Sequence, residues 1–278
     1  MAERPLPPLR DVIADHGLAA DKRLGQHFLL DLNLTAKIAR AAGGLDGVSV
    51  IEIGPGPGGL TRALLDTAAT RIVAVERDPR CVAALKALVE TSKGRLEVIE
   101  DDALDLDIPA LVPAPRAIIA NLPYNVATPL LIGWLARVRD FVSLTLMFQR
   151  EVAERLVATP RTKSYGRLSV MTQWLTEPRL LFDLPARAFT PPPKVDSSVV
   201  HLMPRAMEAD EPSFGAIERV VAAAFGQRRK MLRAALKTLV PDPMHLLERA
   251  QIEPTARAEE LDVAAFRRLA LAWRSESA

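Results

Sequence analysis

The stretch VSVIEIGPGPGGLT, residues 48–61, decides the fold of this chain. An apolar run rich in β-branched residues ends at closely spaced glycines, and residues 60–65 then carry apolar side chains at helical spacing. This pattern indicates a strand, a tight loop and a helix, in that order. Glycines let the backbone turn sharply and approach a ligand, and the helix that follows directs unpaired N–H groups toward the loop. The stretch therefore predicts a nucleotide-binding loop.

The spacing of the glycines fits two classes of nucleotide-binding protein. Gly54, Gly56 and Gly59 satisfy the dinucleotide pattern G-x-G-x-x-G. Gly54, Gly56 and Gly58 equally satisfy the G-x-G-x-G of class I methyltransferases, which bind S-adenosylmethionine (SAM). Glycines that merely end a strand are a third interpretation, so the loop alone leaves its ligand open.

Composition limits the classes of protein to consider. The 278 residues, 49% of them hydrophobic, can form one large α/β domain and a smaller one. The 36 basic and 34 acidic residues give a net charge of only +2, so a polyanion would have to bind a local patch. A single cysteine, Cys81, and four scattered histidines predict no disulfide and no metal site. Residues 1–10 do not form an apolar signal core and no run could span a bilayer, so we expect a cytoplasmic protein without membrane partners.

The order of the predicted elements indicates a parallel sheet covered by helices. Strands are predicted at 71–76, 96–100, 116–120 and 142–148, a helix capped by Asp31 precedes the first strand, and another helix runs from 79 to about 90. Ligands of such sheets lie beyond the carboxyl ends of the strands. The predicted domains are an irregular N-terminal arm (1–20), an α/β domain (21–205) and a helical C-terminal domain (206–278).

Polar residues stand at three predicted strand ends. Glu76 lies about twenty residues past the glycine loop, the distance at which an acid accepts the ribose hydroxyls of a nucleotide. Asp102 could accept a hydrogen bond from an adenine amine, and Asn121 ends the fourth strand. Each could be an ordinary turn residue, but their occurrence at consecutive strand ends favours a shared site.

The tetrapeptide Asn121-Leu122-Pro123-Tyr124 separates the two classes. It resembles the (D/N/S)-(P/L)-P-(Y/F/W) motif of methyltransferases that modify exocyclic amines of nucleobases. The lone pair of such an amine is delocalised into the ring, so carbonyls of Asn121 and Leu122 that accept its N–H groups would favour the nucleophilic, pyramidal nitrogen. Pro123 stiffens the turn, and Tyr124 offers a face for an unstacked base. The alternative is an ordinary turn with a core tyrosine.

Seven segments along the chain are similar, in order, to motifs of the ribosomal RNA adenine dimethyltransferases, and in particular to the bacterial small-subunit enzymes. They are GQHFL (25–29), EIGPGPG (52–58), VE (75–76), DA (102–103), NLPYN (121–125), FTPPPKVDS (189–197) and FGQRRK (225–230). The resemblance implies a class I SAM-dependent methyltransferase with a Rossmann-like, mostly parallel sheet and a small all-helical C-terminal domain. It implies SAM as cofactor and dimethylation of two adjacent adenosines near the 3′ end of 16S rRNA, within the immature small ribosomal subunit, by a monomer.

The resemblance also assigns site residues. Asn121, Leu122, Pro123 and Tyr124 would be catalytic, and Phe189 would be a second aromatic against the target base. The implied cofactor contacts are His27, Leu29, Gly54, Gly56, Gly58, Glu76, Asp102, Ala103 and Asn121. His27 stands where the family commonly has asparagine, and an imidazole can supply a comparable hydrogen bond.

Basic residues at two places are candidates for RNA binding. Lys22 and Arg23 would flank the entrance to the nucleotide site, although solvated charges are the usual explanation. In the C-terminal part, one predicted helix places Val221, Phe225, Leu232, Leu236 and Leu239 on one face and Arg229, Lys230, Arg233 and Lys237 opposite. Arg228 falls within the apolar face, so we expect a pairing acid or a helix break near Gly226.

Three rival functions follow from the same motifs. A large-subunit (23S) rRNA methyltransferase of the macrolide-resistance type would share the fold and the catalytic tetrapeptide. A ribosome assembly factor could act mainly by binding. A nicotinamide-dependent oxidoreductase would fit G-x-G-x-x-G, but no catalytic His, Tyr-Lys or Cys constellation accompanies it.

Overall fold

The structure, a computed structural model, describes residues 6–227 and 229–276. The helices are α1 (Leu9–Asp15), α2 (Leu32–Ala41), α3 (Gly59–Leu65), α4 (Pro79–Thr91), α5 (Tyr124–Ala136), α6 (Arg150–Leu156), α7 (Arg167–Leu175), α8 (Phe214–Gly226), α9 (Leu232–Ala235), α10 (Pro243–Arg249) and α11 (Val263–Glu276). The strands are β1 (Phe28–Leu29), β2 (Ser49–Ile53), β3 (Arg71–Glu76), β4 (Leu96–Glu100), β5 (Arg116–Asn121), β6 (Ser143–Gln149), β7 (Thr176–Leu184), β8 (Phe189–Thr190) and β9 (Ser197–Pro204). In this part of the chain, no helix is both long enough and apolar enough to cross a membrane.

A seven-stranded sheet has the order β4-β3-β2-β5-β6-β9-β7. Strands β2 to β6 pair in parallel, and β9 runs antiparallel to β6. The chain passes from β2 to β3 on one side of the sheet and later to β5 on the other side. The strand order therefore reverses at β2, and this switch point opens a crevice beyond the carboxyl ends of the strands. The predicted α/β class and mostly parallel sheet are confirmed.

The central strands are buried on both faces, which explains why they are apolar throughout. Every residue of β2 is buried, and so are the four central residues of β5. Helices cover a parallel sheet on both sides, so both sets of alternating side chains are removed from water. The predicted bounds of β3 and β4 are confirmed. Asp31 caps α2 as predicted, because its side chain accepts hydrogen bonds from the backbone N–H groups of Asn33 and Leu34.

The N-terminal arm is not irregular as predicted, since α1 forms within it. Leu9 and Val12 are three residues apart on the same side of this helix, and both are buried. Pro8 directly precedes the first helical residue, where the missing N–H removes no helical hydrogen bond. The prolines thus mark the start of a helix rather than a structureless segment.

The chain forms two compact units. The first comprises the described residues up to 153 together with 179–203, and the second comprises 154–178 together with the described residues from 204 onward. The sequence predicts residues 154–178 as part of the α/β domain. In the structure this segment belongs to the second unit because α7 packs against α8 and α11.

The predicted long basic helix of the C-terminal part is broken. Helix α8 ends at Gly226, and the chain becomes helical again only at Leu232, so the expected helix break is confirmed. Arg228 itself lies outside the described residues. The apolar residues Val221, Leu232 and Leu236 are buried as predicted, although they lie on separate elements.

Candidate active site

A pocket lies in the first unit, at the carboxyl ends of β2, β3, β4 and β5. It brings together most of the residues that sequence analysis selected. The predicted site residues that line it are Arg23, His27, Leu29, Gly54, Gly56, Glu76, Asp102, Ala103, Asn121, Leu122, Pro123 and Tyr124. Gly58 and Phe189 are not among the lining residues.

The glycine loop is attached to the end of β3. The Gly54 N–H donates to the Val75 carbonyl at 2.9 Å, and the Gly56 N–H donates to Glu76 Oε2 at 2.9 Å. Gly58 contributes by packing, because a Cβ there would lie 2.5 Å from a methyl carbon of Leu88 on α4, and its φ of +89° is unfavourable for other residues. Gly58 therefore shapes the loop without lining the pocket.

Glu76 is held by backbone groups on both carboxylate oxygens. Its side chain is 7% exposed, and Oε1 accepts the Asp78 N–H at 2.8 Å. Burial raises the pKa of Glu76, and the hydrogen bonds from Asp78 and Gly56 oppose that rise. Each carboxylate oxygen can accept more than one hydrogen bond, so Glu76 can still receive the hydroxyl groups of a ribose.

Asp102 follows β4, whose last residue Glu100 pairs with Glu76 of β3, and it also lines the pocket. Its Oδ1 accepts the Leu104 N–H at 3.0 Å, and its Oδ2 is 2.9 Å from a terminal guanidinium nitrogen of Arg77. Arg77 also lines the pocket. The carboxylate is thus fixed in one orientation, with lone pairs remaining for an adenine amine.

Glu52 carries a carboxyl group in the buried strand β2 and is not among the predicted site residues. It lines the pocket, is 1% exposed, and its Oε2 has no hydrogen-bond partner among the described residues. Burial raises the pKa of Glu52 to about 8; Glu76 adds to the rise, and Thr61 partly offsets it. An acid within the otherwise apolar run VSVIEI was the available signal, because a buried carboxyl group without a donor is costly. A cationic or N–H group of a ligand would satisfy it.

Glu52→Gln should stabilise the ligand-free protein increasingly as the pH rises from about 5 to 8. The pKa of Glu52 is raised on folding, so the folded state binds a proton that the unfolded state loses, and wild-type stability falls with pH across that window. Glutamine removes this dependence. Urea unfolding at several pH values measures the free energy of unfolding of the variant and of the wild type. Each unit by which folding raises the pKa of Glu52 corresponds to about 1.4 kcal/mol in this free energy. A stability difference that does not vary with pH would contradict the assignment.

Residues 23–29 form one wall of the pocket and are hydrogen-bonded to the region after β3. Gln26 Nε2 donates to Asp78 Oδ2 at 2.9 Å. Arg80 also binds this carboxylate, and its hydrogen bonds lower the pKa of Asp78 to about 2. Gly25 approaches the start of α5 so closely that a Cβ would lie 2.8 Å from Asn125 Oδ1. Gln26 is not among the predicted site residues, yet its side chain links this wall of the pocket to Asp78, the residue that caps α4.

The predicted catalytic tetrapeptide spans the turn from β5 to α5. Asn121 is the last residue of β5 and Tyr124 the first of α5, while the Pro123 carbonyl accepts the first backbone hydrogen bonds of that helix. Asn121 lines the pocket, and its amide makes no side-chain hydrogen bond to another described residue. Its carbonyl is therefore available to an incoming N–H group.

Tyr124 is half-buried, and both parts of its side chain have neighbours. Its hydroxyl lies 2.6 Å from Ser197 Oγ, and its ring centroid is 5.6 Å from that of His27. His27 Nδ1 lies 2.7 Å from the Pro191 carbonyl oxygen. The Asn121–Tyr124 turn, the wall that contains His27 and the segment from 189 to 197 therefore meet at Tyr124.

Phe189 does not present an aromatic face to the pocket, contrary to the prediction. It is 3% exposed and belongs to the hydrophobic core, in which it packs with Leu29 and Val199. The cause is a short antiparallel pairing of β1 with β8, which sets Phe189 opposite Leu29. The proline-rich sequence suggested an exposed loop, but this ladder buries its first residue.

The predicted RNA-binding residues are exposed wherever the structure describes them. The Arg23 side chain is 90% exposed and pairs with Asp21 at 2.8 Å. The side chain of Lys22 lies outside the described part of the structure. Arg229, Lys230, Arg233 and Lys237 are exposed in the second unit, distributed over the segment before α9, α9 itself and the turn after it. They do not share one helical face.

The sequence matches a known protein family over most of its length. Residues 17–273 match the family described as ribosomal RNA adenine dimethylase. A ribosomal RNA small subunit methyltransferase A from Azorhizobium caulinodans is 58% identical over 96% of this chain and 93% of its own length. The protein of the same name from Rhodospirillum rubrum is 60% identical over 96% of this chain and 92% of its own length.

Two solved structures share the fold over most of this chain. A dimethyladenosine transferase from Plasmodium falciparum has a TM-score of 0.77 and 27% identity, and the match covers 90% of this chain and 98% of that one. The 23S rRNA methyltransferase ErmE has a TM-score of 0.66 and 29% identity, and the match covers 89% of this chain and 99% of that one.

Proposed function

The chain belongs to the ribosomal RNA adenine dimethylase family, and from that premise we propose that it dimethylates two adjacent adenosines near the 3′ end of 16S rRNA, with SAM as methyl donor. The main support for the proposal is that the Asn121–Tyr124 turn and the glycine loop line the same pocket. The turn supplies groups for an exocyclic amine, and the loop supplies a cradle for a nucleoside. Together they suit methyl transfer from a nucleoside cofactor to such an amine.

The residues of the pocket fit SAM. Glu76 would accept the ribose hydroxyls and Asp102 the adenine amine, while the backbone at Gly54 and Gly56 leaves room for the ligand. The unpartnered Oε2 of Glu52 requires a buried donor, and the ammonium group of SAM is one. Bound SAM would supply a methyl group activated by the adjacent sulfonium. His27, Leu29 and Ala103 complete the proposed cofactor contacts.

Catalysis would rest on positioning rather than on an ionisable base. The side-chain carbonyl of Asn121 and the backbone carbonyl of Leu122 would accept the two N6–H groups of the target adenosine. Together the two acceptors would direct the nitrogen lone pair out of the plane of the base, from where it could attack the methyl group of SAM. Pro123 fixes the turn that holds them, and the Tyr124 ring would support the extruded base by stacking.

RNA recognition would use basic residues of both units. A hairpin loop presents unpaired bases to the pocket, while its phosphates can bind Lys and Arg side chains. The proposed contacts are Lys22, Arg23, Arg229, Lys230, Arg233 and Lys237. The net charge of +2 is small, so this binding would depend on local patches.

The small subunit is favoured over the large one as the target. The curated relatives named for the small subunit are 58% and 60% identical to this chain, whereas ErmE is 29% identical. We further propose that the substrate is an immature small subunit in the cytoplasm and that the enzyme acts as a monomer. An additional assembly role would appear as binding of immature subunits by a catalytically inactive Asn121 variant.

Nucleoside mass spectrometry tests the proposal. The protein and SAM are incubated with unmethylated small subunits, and with large-subunit RNA in parallel. We expect dimethyladenosine only in the small-subunit sample. Product only in the large-subunit sample would transfer the assignment to the macrolide-resistance type, and binding without product in either would favour the assembly-factor function.

A further inference from the structure

The hydroxyl of Tyr124 has a partner that stacking alone does not explain. A phenylalanine at this position could also support a base, since every base stacks on an apolar aromatic face. In this chain the phenol oxygen lies 2.6 Å from Ser197 Oγ, 73 residues further along the sequence. Ser197 is fully buried at the start of β9, where it pairs with Gln149 of β6. The partner is therefore part of the rigid sheet and not of a mobile loop.

A second contact restrains the same ring from another segment. His27 Nδ1 donates to the Pro191 carbonyl, because that oxygen can only accept. This hydrogen bond fixes the plane of the imidazole, whose centroid lies 5.6 Å from the Tyr124 centroid at an interplanar angle of 31°. The segment from Pro191 to Ser197 thus acts on Tyr124 at two points, directly through Ser197 and through His27.

We propose that Ser197 is a positioning residue for methyl transfer, because its hydroxyl fixes the orientation of the Tyr124 ring against which the target adenine stacks. The proposal rests on the proposed function, in which Tyr124 supports the base. Ser197 would not touch the base, the cofactor or the reacting atoms. It would restrict the rotation of the Tyr124 ring about its side-chain bonds, so that the base is held at the Asn121 carbonyl in one geometry.

The expected effect is on turnover rather than on cofactor binding. A misplacement of about 1 Å in a reacting group can cost on the order of 100-fold in rate, and loss of one restraint on a half-buried ring should cost less. We expect Ser197→Ala to lower kcat about tenfold. Affinity for S-adenosylhomocysteine should not change, because Ser197 does not line the cofactor pocket.

The experiment compares four variants of the full chain: Ser197→Ala, Tyr124→Phe, the double variant and Ser198→Ala. Ser198 is the matched control, since it is equally buried but its hydroxyl donates to Asp183 Oδ1 at 2.6 Å, away from Tyr124. The readouts are kcat on unmethylated small subunits, the Kd for S-adenosylhomocysteine and the melting temperature. We expect equal losses of kcat in the two single variants, no further loss in the double variant, and wild-type kcat in Ser198→Ala.

Other outcomes separate failure of this inference from failure of the proposed function. Tyr124→Ala serves as the reference. If it is inactive while Ser197→Ala has wild-type kcat, the positioning role is wrong and the proposed function stands. Additive losses in the double variant, or an equal loss in Ser198→Ala, would also overturn the positioning role. If Tyr124→Ala retains full activity on small subunits, the role of Tyr124 in the proposed function is itself wrong.

Discussion

Replacing Asn121 with alanine is expected to lower kcat for adenosine methylation on the order of 10²- to 10³-fold, the loss typical when one polar group that stabilises a transition state is removed. The proposed reaction has no strong base, so the acceptors at Asn121 and Leu122 must favour the nucleophilic form of the amine. Alanine removes one of the two acceptors. The Leu122 carbonyl remains because it belongs to the backbone.

The Asn121→Ala variant should keep the backbone conformation of the wild type. Asn121 ends a buried strand that is paired in register with β6 through Met147, so the backbone should keep its position in the variant. The amide makes no side-chain hydrogen bond to another described residue, so alanine leaves no such partner unsatisfied. A change in rate would therefore reflect chemistry rather than folding.

Single-turnover methylation of small subunits, with SAM saturating, measures the step directly. Asn33→Ala is the control, since Asn33 is exposed on α2 and outside the pocket. Binding of S-adenosylhomocysteine should weaken only modestly in Asn121→Ala, because Glu76 and Asp102 remain. A turnover within tenfold of the wild type would refute a mechanism based on these two acceptors.

The sheet and most of the pocket were predictable because they depend mainly on residues that are close together in the sequence. A parallel strand buried on both faces must be apolar along most of its length, which made β3 recognisable to the residue. The sheet topology then placed Glu76, Asp102 and Asn121 at one edge. The type of substrate was predictable from the Asn-Leu-Pro-Tyr turn at that edge, because its carbonyl groups can accept the N–H groups of an exocyclic amine.

Features that depend on contacts distant in sequence were not predictable. Phe189 was expected to face the target base, but pairing of β8 with β1, over 160 residues away, buries it beside Leu29. Glu52 was read as part of an apolar strand, and only the packed structure shows an acid without a donor. The C-terminal helix was predicted too long because its apolar residues kept helical spacing across the break after Gly226.

Glu76→Gln should weaken binding of S-adenosylhomocysteine about 10- to 100-fold, because hydrogen bonds to a charged group contribute about 1.5–3 kcal/mol and each 1.4 kcal/mol is tenfold in Kd. Both oxygens of Glu76 accept backbone N–H groups, from Gly56 and Asp78. The amide NH₂ of glutamine would face one of these donors. It would disturb the glycine loop or turn away, and in either case an acceptor for the ribose is lost.

Glu97→Gln is the control for charge and length, because Glu97 lies on the adjacent strand but is half exposed and pairs with Arg71 away from the pocket. Calorimetric titration with S-adenosylhomocysteine gives the two Kd values, and kcat at saturating SAM should change much less in Glu76→Gln than in Asn121→Ala. Wild-type affinity should also fall on acidification at a higher pH than for an ordinary glutamate, since burial raises the pKa of Glu76 and its neutral form accepts fewer hydrogen bonds. Equal Kd values for Glu76→Gln and Glu97→Gln would show that Glu76 shapes the loop without binding the cofactor.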